Sequence, residues 1–363
     1  MKGDLEKNKM NLLIISTVDL RKTGIPVSIM NNYRLFNHSD IHCTFVTYGV
    51  DKSYEDEIIQ NGDKIFILPN RMKKPIAYMR KLREIVNSKK YNLAHVHGNS
   101  STMVMELLVL KGQVKVICQA HNTNCVHSTF HKILYPLFIR LVEEKTACTE
   151  AAGKFLYRKH KFKVLKNGIE TAKYSFSSDI RKKFRDSMGI GENFAILHVG
   201  GFSEQKNHDF LLEVFKKYHE KNPLSQLWLI GEGVKKESII NLVHKNKLDQ
   251  FVKFIGRTND VSKYMMAADC FLLPSLYESF GIVNIEAQAT GLPCVVSTSV
   301  PDVAKISDYF YKVPLDDASK WLEAIDKCQK ITIQRRNSSL NVFEHGFDVS
   351  QTSKELINYY KSL

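Results

Sequence analysis

The sequence predicts an α/β protein made of two doubly wound domains, each built around a parallel sheet. Three observations carry the prediction. The length of 363 residues is about two domains of material. Short apolar runs alternate with helix-period segments in both halves, as in successive βαβ units. Glycines, histidines and carboxylates gather at the ends of those runs, the edge at which such sheets hold ligands.

Residues 1–9 are a basic lead. The first domain is expected over 10–170. It opens on an apolar strand at 11–17, followed by a loop with one glycine, Gly24, whose N–H could face a phosphate or serve a plain turn. A helix is expected from Pro26, a residue favoured at first helical positions. The loop is not G-x-G-x-x-G, so a nicotinamide-binding reading loses its main support. Further strands are expected at 42–48, 64–68, 93–96, 114–118 and 146–148, with helical patterns between most of them. Two strand ends carry histidine, in His95-Val-His97-Gly-Asn-Ser-Ser and Gln119-Ala-His121-Asn122-Thr. One such histidine would more often be a satisfied structural residue; two at the same sheet edge point to function.

The polar, serine-containing stretch 171–191 reads as a linker. The second domain, 192–346, opens on a strand at 194–199. A glycine-containing loop follows, Gly200-Gly201-Phe-Ser-Glu-Gln-Lys206-Asn, and then a helix from His208. Glycines followed by lysine at a helix start suit a phosphate, although a solvated lysine is the ordinary alternative. Strands are also expected at 227–230, 252–255 and 294–297. The most informative stretch is 269–293. An apolar strand at 270–273 is stopped by Pro274 and Ser275, Gly281 permits close backbone approach, and a helix at 282–290 ends at Gly291 and Pro293. Glu278 precedes that helix and Glu286 lies on it between Ile285 and Ala287. A carboxylate among apolar neighbours needs a partner, and ribose hydroxyls would serve. An amphipathic helix closes the chain at 347–360.

Composition narrows the classes. With 44% hydrophobic and 25% charged residues the chain is ordinary globular, not disordered or fibrous. No apolar run approaches a membrane span, and the lysine-rich start lacks a signal-peptide core, so a cytoplasmic place is expected. Seven cysteines without a C-x-x-C pair fit reduced, mostly buried thiols; neither a metal nor a disulfide framework is indicated. The net charge of +14 calls for an anionic partner. No nucleic-acid-binding signature is present, which leaves phosphorylated small molecules and an anionic membrane surface. For the latter, Arg71, Lys73, Lys74, Arg80, Lys81, Arg83, Lys89 and Lys90 surround Ile76, Met79, Leu82, Ile85 and Val86. This is a basic amphipathic helix that would suit an anionic bilayer, or equally a surface helix with an inner apolar stripe. The aromatic-rich segment 130–141 is a second candidate, for a membrane or a lipid acceptor, and an ordinary buried helix explains it as well.

The run Glu278-S-F-G-I-V-N-I-E-A-Q-A-T-G-L-Pro293 resembles the signature of the retaining family-4 glycosyltransferases, whose fold is GT-B. The segments H-V-H-G-N-S-S, A-H-N-T and A-C-T-E-A-A-G-K-F-L-Y resemble the exopolysaccharide and capsule branch of that family, and Lys166-Asn-Gly-Ile-Glu170 resembles the stop that ends its first domain. The resemblance runs from about Asn11 to the C-terminus. It implies two Rossmann-like domains facing a central cleft, with the C-terminal helix (347–363) crossing back to the first. It implies a nucleoside-diphosphate sugar, with uridine favoured, held mainly by the second domain, and transfer with retention to a glycan or lipid-linked acceptor, without a metal or other cofactor.

By the same resemblance, Glu286 binds ribose. Lys206 and the backbone around Phe280, Gly281, Ile282 and Val283 hold diphosphate and sugar, and Glu278 contacts the sugar near its reacting end. His121 takes the active-site histidine position, with His97 and Asn122 as acceptor-side candidates. Gly24 has only one of two usual glycines, and Gly201 stands where the family usually has arginine. Arg257 is a candidate substitute, although its loop borders the nucleobase in the family. These departures keep a non-catalytic partner subunit in view as a rival, with a nucleotide-sugar epimerase behind it.

Overall fold

A computed structural model of the chain describes residues 9–125, 128–330, 335 and 337–363. Of the basic lead expected at 1–9, all but Lys9 lies outside the described residues. The chain forms two compact units: Met1–Gly168 with Val349–Leu363, and Ile169–Asp348.

The first unit holds a seven-stranded parallel sheet of β1 (Met10–Ser16), β2 (Ile41–Thr47), β3 (Lys64–Ile67), β4 (Leu93–Gly98), β5 (Lys115–Ala120), β6 (Glu144–Ala147) and β7 (Lys163–Val164), in the order β3-β2-β1-β4-β5-β6-β7. Both faces of the central strands β1, β2, β4 and β5 are covered, which is why these are largely apolar. Leu13, Ile15 and Val46 enter one core with the helices Pro75–Ser88 and Val104–Leu110. Their neighbours Leu12, Ile14 and Phe45 enter the opposite core with Ile29 and Met30 of the helix Gly24–Tyr33 and Leu356 and Tyr360 of the C-terminal helix Val349–Lys361.

The second unit repeats the topology with six parallel strands: β8 (Phe194–Val199), β9 (Ser225–Ile230), β10 (Val252–Gly256), β11 (Cys270–Leu273), β12 (Cys294–Ser297) and β13 (Phe310–Val313), in the order β10-β9-β8-β11-β12-β13. Alternation again splits each strand. Ala195, Leu197, Phe271 and Leu273 face one core; Ile196, Cys270, Leu272 and Val295 face the other.

Both orders are the doubly wound order in which the chain winds outward from the first strand in one direction and then in the other. The reversal falls between β1 and β4 in the first unit and between β8 and β11 in the second. Loops leaving adjacent strands at such a point diverge, and a crevice opens at their carboxyl ends.

Several expectations are corrected. The first helix starts at Gly24, so Pro26 sits within its first turn, where a missing N–H costs nothing. The last helix starts at Val349, because Phe347 is still in the second unit's core. The stretch 171–191 is not a free linker. It contains a 3-10 turn, Thr171–Tyr174, and a helix, Ser178–Met188, whose Arg181 and Arg185 both reach Asp269 at 2.5 and 3.1 Å. Its polarity reflects that ion-pair network. Arg71 is not on a basic surface either. It is buried against Glu106 at 2.8 Å and donates to the Thr102 carbonyl at 2.5 Å. β7 and β13 were not anticipated. Among the described residues, no helix is long and apolar enough to cross a membrane.

Candidate functional site

In the second unit the loops after β8 and β11 flank the reversal point and are tied to each other. Leu276 donates its N–H to the Gln205 carbonyl at 2.8 Å, and Gln205 Nε2 donates to the Tyr277 carbonyl at 2.9 Å. The turn after β11 is pinned from β12, since the hydroxyls of Ser297 and Ser299 donate to the Ser275 carbonyl at 2.6 and 2.8 Å. On this scaffold Lys206 forms a largely buried ion pair with Oε1 of Glu278, which also accepts from the Ser275 hydroxyl at 3.0 Å. A part-buried pair of this kind holds two loops in register and leaves its cation close to whatever enters the crevice.

Gly281 follows at once. Its φ is +67°, and a Cβ there would lie 2.5 Å from Asn284 Nδ2 and 3.5 Å from Glu278 Oε2. Only glycine fits, both for backbone conformation and for space. It opens the helix Ile282–Ala289, in which the Asn284 N–H turns back to the Gly281 carbonyl at 2.8 Å and the N–H groups before it have no preceding turn of helix to bond. Phe280 does not line this opening. It is buried and packs on Phe347 with ring centroids 5.3 Å apart, so its side chain belongs to the core. Val283 is buried in the same core and Ile282 half-buried against it, which leaves their backbone as what they could offer a ligand.

Glu286 sits one turn further on. Its carboxylate accepts a hydrogen bond from the buried Tyr174 hydroxyl. Protein surrounds it although its side chain stays partly accessible, and burial pushes its carboxyl up to about 7, against the pull of Tyr174 and Lys173. Tyr174 lies in the stretch read as a linker and carried no sequence signal. Gly201 takes no unusual backbone angle, and a Cβ there would meet only the Glu232 carbonyl, at 3.4 Å; the position is open to a side chain. Arg257 is exposed just after β10.

In the first unit the ends of β4 and β5 bring histidines together. The two strands pair with His97 opposite Gln119, so His121 falls just beyond the ladder. His97 Nδ1 lies 2.9 Å from His121 Nε2, which requires one proton between them. His95, missed as a candidate, lies against His97 at 3.9 Å between ring centroids, and its Nδ1 meets the Tyr360 hydroxyl at 2.7 Å. All three rings are buried. Burial pushes His95 and His121 down to about 3 and His97 well below its ordinary range, so the cluster is neutral at physiological pH. His97, but not His121, also lines a small pocket of about 20 Å³, room for one water. Asn122 follows His121 half-buried, and Gly24 begins its helix with open space where a Cβ would stand. Among the described residues, no group of three His, Cys, Asp or Glu side chains is arranged to hold a metal.

Comparison with known proteins agrees with this architecture. Residues 180–339 match the family model "Glycosyl transferases group 1", and residues 23–173 match "Glycosyltransferase Family 4". The chain is 27% identical to the putative glycosyltransferase EpsF of Bacillus subtilis, over 94% of each chain. It is 24% identical to an Escherichia coli UDP-Gal:alpha-D-GlcNAc-diphosphoundecaprenol alpha-1,3-galactosyltransferase, over 77% of each. Among solved structures, Anabaena HepE in complex with UDP-glucose superposes with a TM-score of 0.80 at 17% identity, over 98% of this chain and all of that one. The chain is a glycosyltransferase of the group 1 and family 4 type, with the GT-B fold.

Proposed function

We propose that the enzyme is a retaining glycosyltransferase that moves a hexose or N-acetylhexosamine from a nucleoside-diphosphate sugar, with uridine as base, to a glycan or lipid-linked acceptor of surface polysaccharide synthesis. The observation that carries this reading is the Lys206–Glu278 pair beside the opening at Gly281. A cation, a carboxylate and the N–H groups of a helix start meet there, which suits a diphosphate joined to a polyhydroxyl group. The UDP-glucose of HepE and the UDP-Gal named for the Escherichia coli relative support the choice of donor, and EpsF the family branch.

In this reading Lys206 and the N–H groups of Gly281 to Val283 hold the diphosphate, and Glu286 accepts from ribose hydroxyls. Glu278 addresses the sugar. The acceptor oxygen bonds to the anomeric carbon on the face from which the phosphate oxygen leaves, and the acceptor proton passes to that oxygen. No metal takes part. His121, held by His97, is assigned to the acceptor side of the first unit, with Asn122. Gly24 and Arg257 are assigned peripheral donor contacts. The side-chain-free position 201 favours one rival, a non-catalytic partner subunit.

Calorimetric titration with UDP and GDP in metal-free buffer, repeated on Lys206→Ala, tests the reading. UDP binding that weakens at least tenfold in the variant is expected. Binding of neither nucleotide would hand the case to the partner-subunit rival.

The acceptor side includes an anionic membrane surface as a proposed partner. On the helix Ser128–Leu141, Phe130, Ile133 and Leu137 are 54%, 67% and 41% exposed at one-face spacing, while His131, Tyr135 and Phe138 are buried. On the helix Pro75–Ser88 and its approach, Ile76 is exposed among Lys73, Lys74, Arg80, Lys81 and Arg83. Exposed apolar groups bordered by lysine and arginine suit an anionic bilayer. Replacing Ile133 and Leu137 by serine should abolish sedimentation with phosphatidylglycerol vesicles; undiminished sedimentation would remove the helix from the proposal.

A further inference from the structure

Beneath the loop that carries Lys206 lie two histidines with no role in the reading above. His198, in β8, is fully buried, and its Nδ1 is 2.9 Å from the Leu272 carbonyl. A carbonyl only accepts, so Nδ1 carries the proton and Nε2 is a bare lone pair. That Nε2 has no partner among the described residues. A Cβ at Gly200 would lie 3.0 Å from it and 3.1 Å from Lys206 Cδ, so the loop backbone passes close to the ring and to the lysine stem. His208 opens the following helix at 1% exposure, and neither of its ring nitrogens has a partner among the described residues. Its ring meets His198 edge-on at 4.7 Å between centroids and is stacked under Phe202 at 4.4 Å. Buried ring nitrogens are normally satisfied. Three unpartnered ones under a single loop call for an explanation.

Charge supplies it. The lysines near this pair are already matched: Lys206 with Glu278, and Lys235 with Glu204 and Asp209. Those five side chains carry two positive and three negative charges. Position 201, open to a side chain, adds nothing. A nucleoside diphosphate would therefore arrive, with its own negative charges, at a loop whose lysines, Lys206 included, are shared with carboxylates that outnumber them. The protonatable groups left under the loop are the two imidazoles. In the free enzyme they are neutral, because burial and the neighbouring lysines oppose a charge on either. A phosphate anion placed above them would act in the opposite direction, favouring the charged form of either ring.

We propose that the His198–His208 pair takes up a proton from solvent when a nucleoside diphosphate binds over the 200–206 loop, and releases it when the nucleotide leaves. The proton enters at His198 Nε2 or at the free nitrogen of His208, and no other bond changes. The pair does not touch the donor; it acts through the loop above it. The diphosphate left by transfer carries one more negative charge than the donor once the proton it took from the acceptor has dissociated, so uptake is greater with UDP than with a UDP-sugar, and the pair is a place to which that proton can go. This inference rests on the assignment of the loop to the diphosphate.

The test is calorimetric titration with UDP at pH 7 in two buffers of different ionisation enthalpy, which counts protons bound. Relative to the wild type, His208→Gln and His198→Asn should each lower uptake by about half a proton; contributions from Glu286 and from the nucleotide's own phosphate are common to all. Gly201→Arg, on an open position, should retain UDP binding and also lower the count, because a fixed cation replaces the mobile one. Should the histidine variants fail to fold, ¹⁵N-histidine spectra of the wild type should show an imidazole becoming cationic on UDP addition. UDP binding with the same proton count in every variant, or with both imidazoles still neutral, overturns the proposal alone. Absence of UDP binding to the wild type overturns the loop assignment itself.

Discussion

Replacement of Glu286 by glutamine probes the site where its chemistry is most exposed to measurement. The amide keeps the shape and remains an acceptor for Tyr174, but it cannot ionise. In the folded chain the Glu286 carboxyl is pushed up to about 7 from an ordinary 4.5. The folded state therefore holds a proton that the unfolded chain has already lost between those values, and stability falls as pH rises through that window. Below pH 4.5 the group contributes no difference; above 7 the whole cost is present. The gap corresponds to about 3 kcal/mol, and solvent reaching the partly exposed side chain reduces this to ~1–2 kcal/mol. Urea unfolding at pH 5, 6, 7 and 8 should show the wild type losing that much stability relative to Glu286→Gln between the lowest and highest values. Nucleotide binding should run the other way. Ribose hydroxyls donate best to the ionised carboxylate, so UDP affinity of the wild type should fall toward pH 6, by up to about tenfold per unit, beyond any pH trend that Glu286→Gln also shows. At pH 8 the variant should bind about tenfold or more weakly, the worth of a hydrogen bond to a charged group. Stability curves that stay parallel would show that burial does not shift this carboxyl. Equal UDP affinity at pH 8 would remove Glu286 from the ribose.

Two further perturbations address the same crevice. Lys206→Met strands Glu278 in a part-buried place and should cost ~2–4 kcal/mol; Lys206→Met with Glu278→Gln should regain most of it. A double-mutant cycle by urea unfolding that closes with no coupling would show that the pair does not hold the two loops. Gly281→Ala meets Asn284 Nδ2 at 2.5 Å and forces alanine into the left-handed region, a backbone cost of ~1 kcal/mol before the clash. It should weaken UDP binding by at least tenfold while leaving the first unit's unfolding unchanged, and unaltered affinity would show that the helix opening is not used.

The strands of both sheets were legible because a parallel strand covered on both faces reads as an unbroken apolar run, as in Leu12–Ile15 and Phe271–Leu273. Two strands that escape this rule, β7 and β13, carried too little signal to be read, although the largely exposed β3 was still legible from its Ile-Phe-Ile run. β7 is two residues long, and β13 lies at an edge with Tyr311 and Lys312 only half-buried. The helix Ser178–Met188 buries none of its residues fully, so its composition matched a linker. What ties it down is two arginines reaching a carboxylate more than eighty residues away, and no local pattern encodes that.

The site divides along the same line. Glu278, Gly281 and Glu286 were readable because strand, turn and helix place them within nine consecutive residues. The contacts of Lys206 with Glu278, of His97 with His121 and of Tyr174 with Glu286 cross 72, 24 and 112 positions and depend on strand order and register. Strand order also explains a contrast that composition hides. Both units wind outward from a reversal point of the same kind, yet the first presents neutral imidazoles near that point, at the ends of β4 and β5, and the second presents Lys206, Glu278 and Glu286. A neutral histidine cluster can orient and share protons but draws no anion; ion-paired loops and open helix N–H groups do. The electrostatics on each scaffold, rather than the scaffold itself, assign the anionic part of the donor to the second unit in the proposed function.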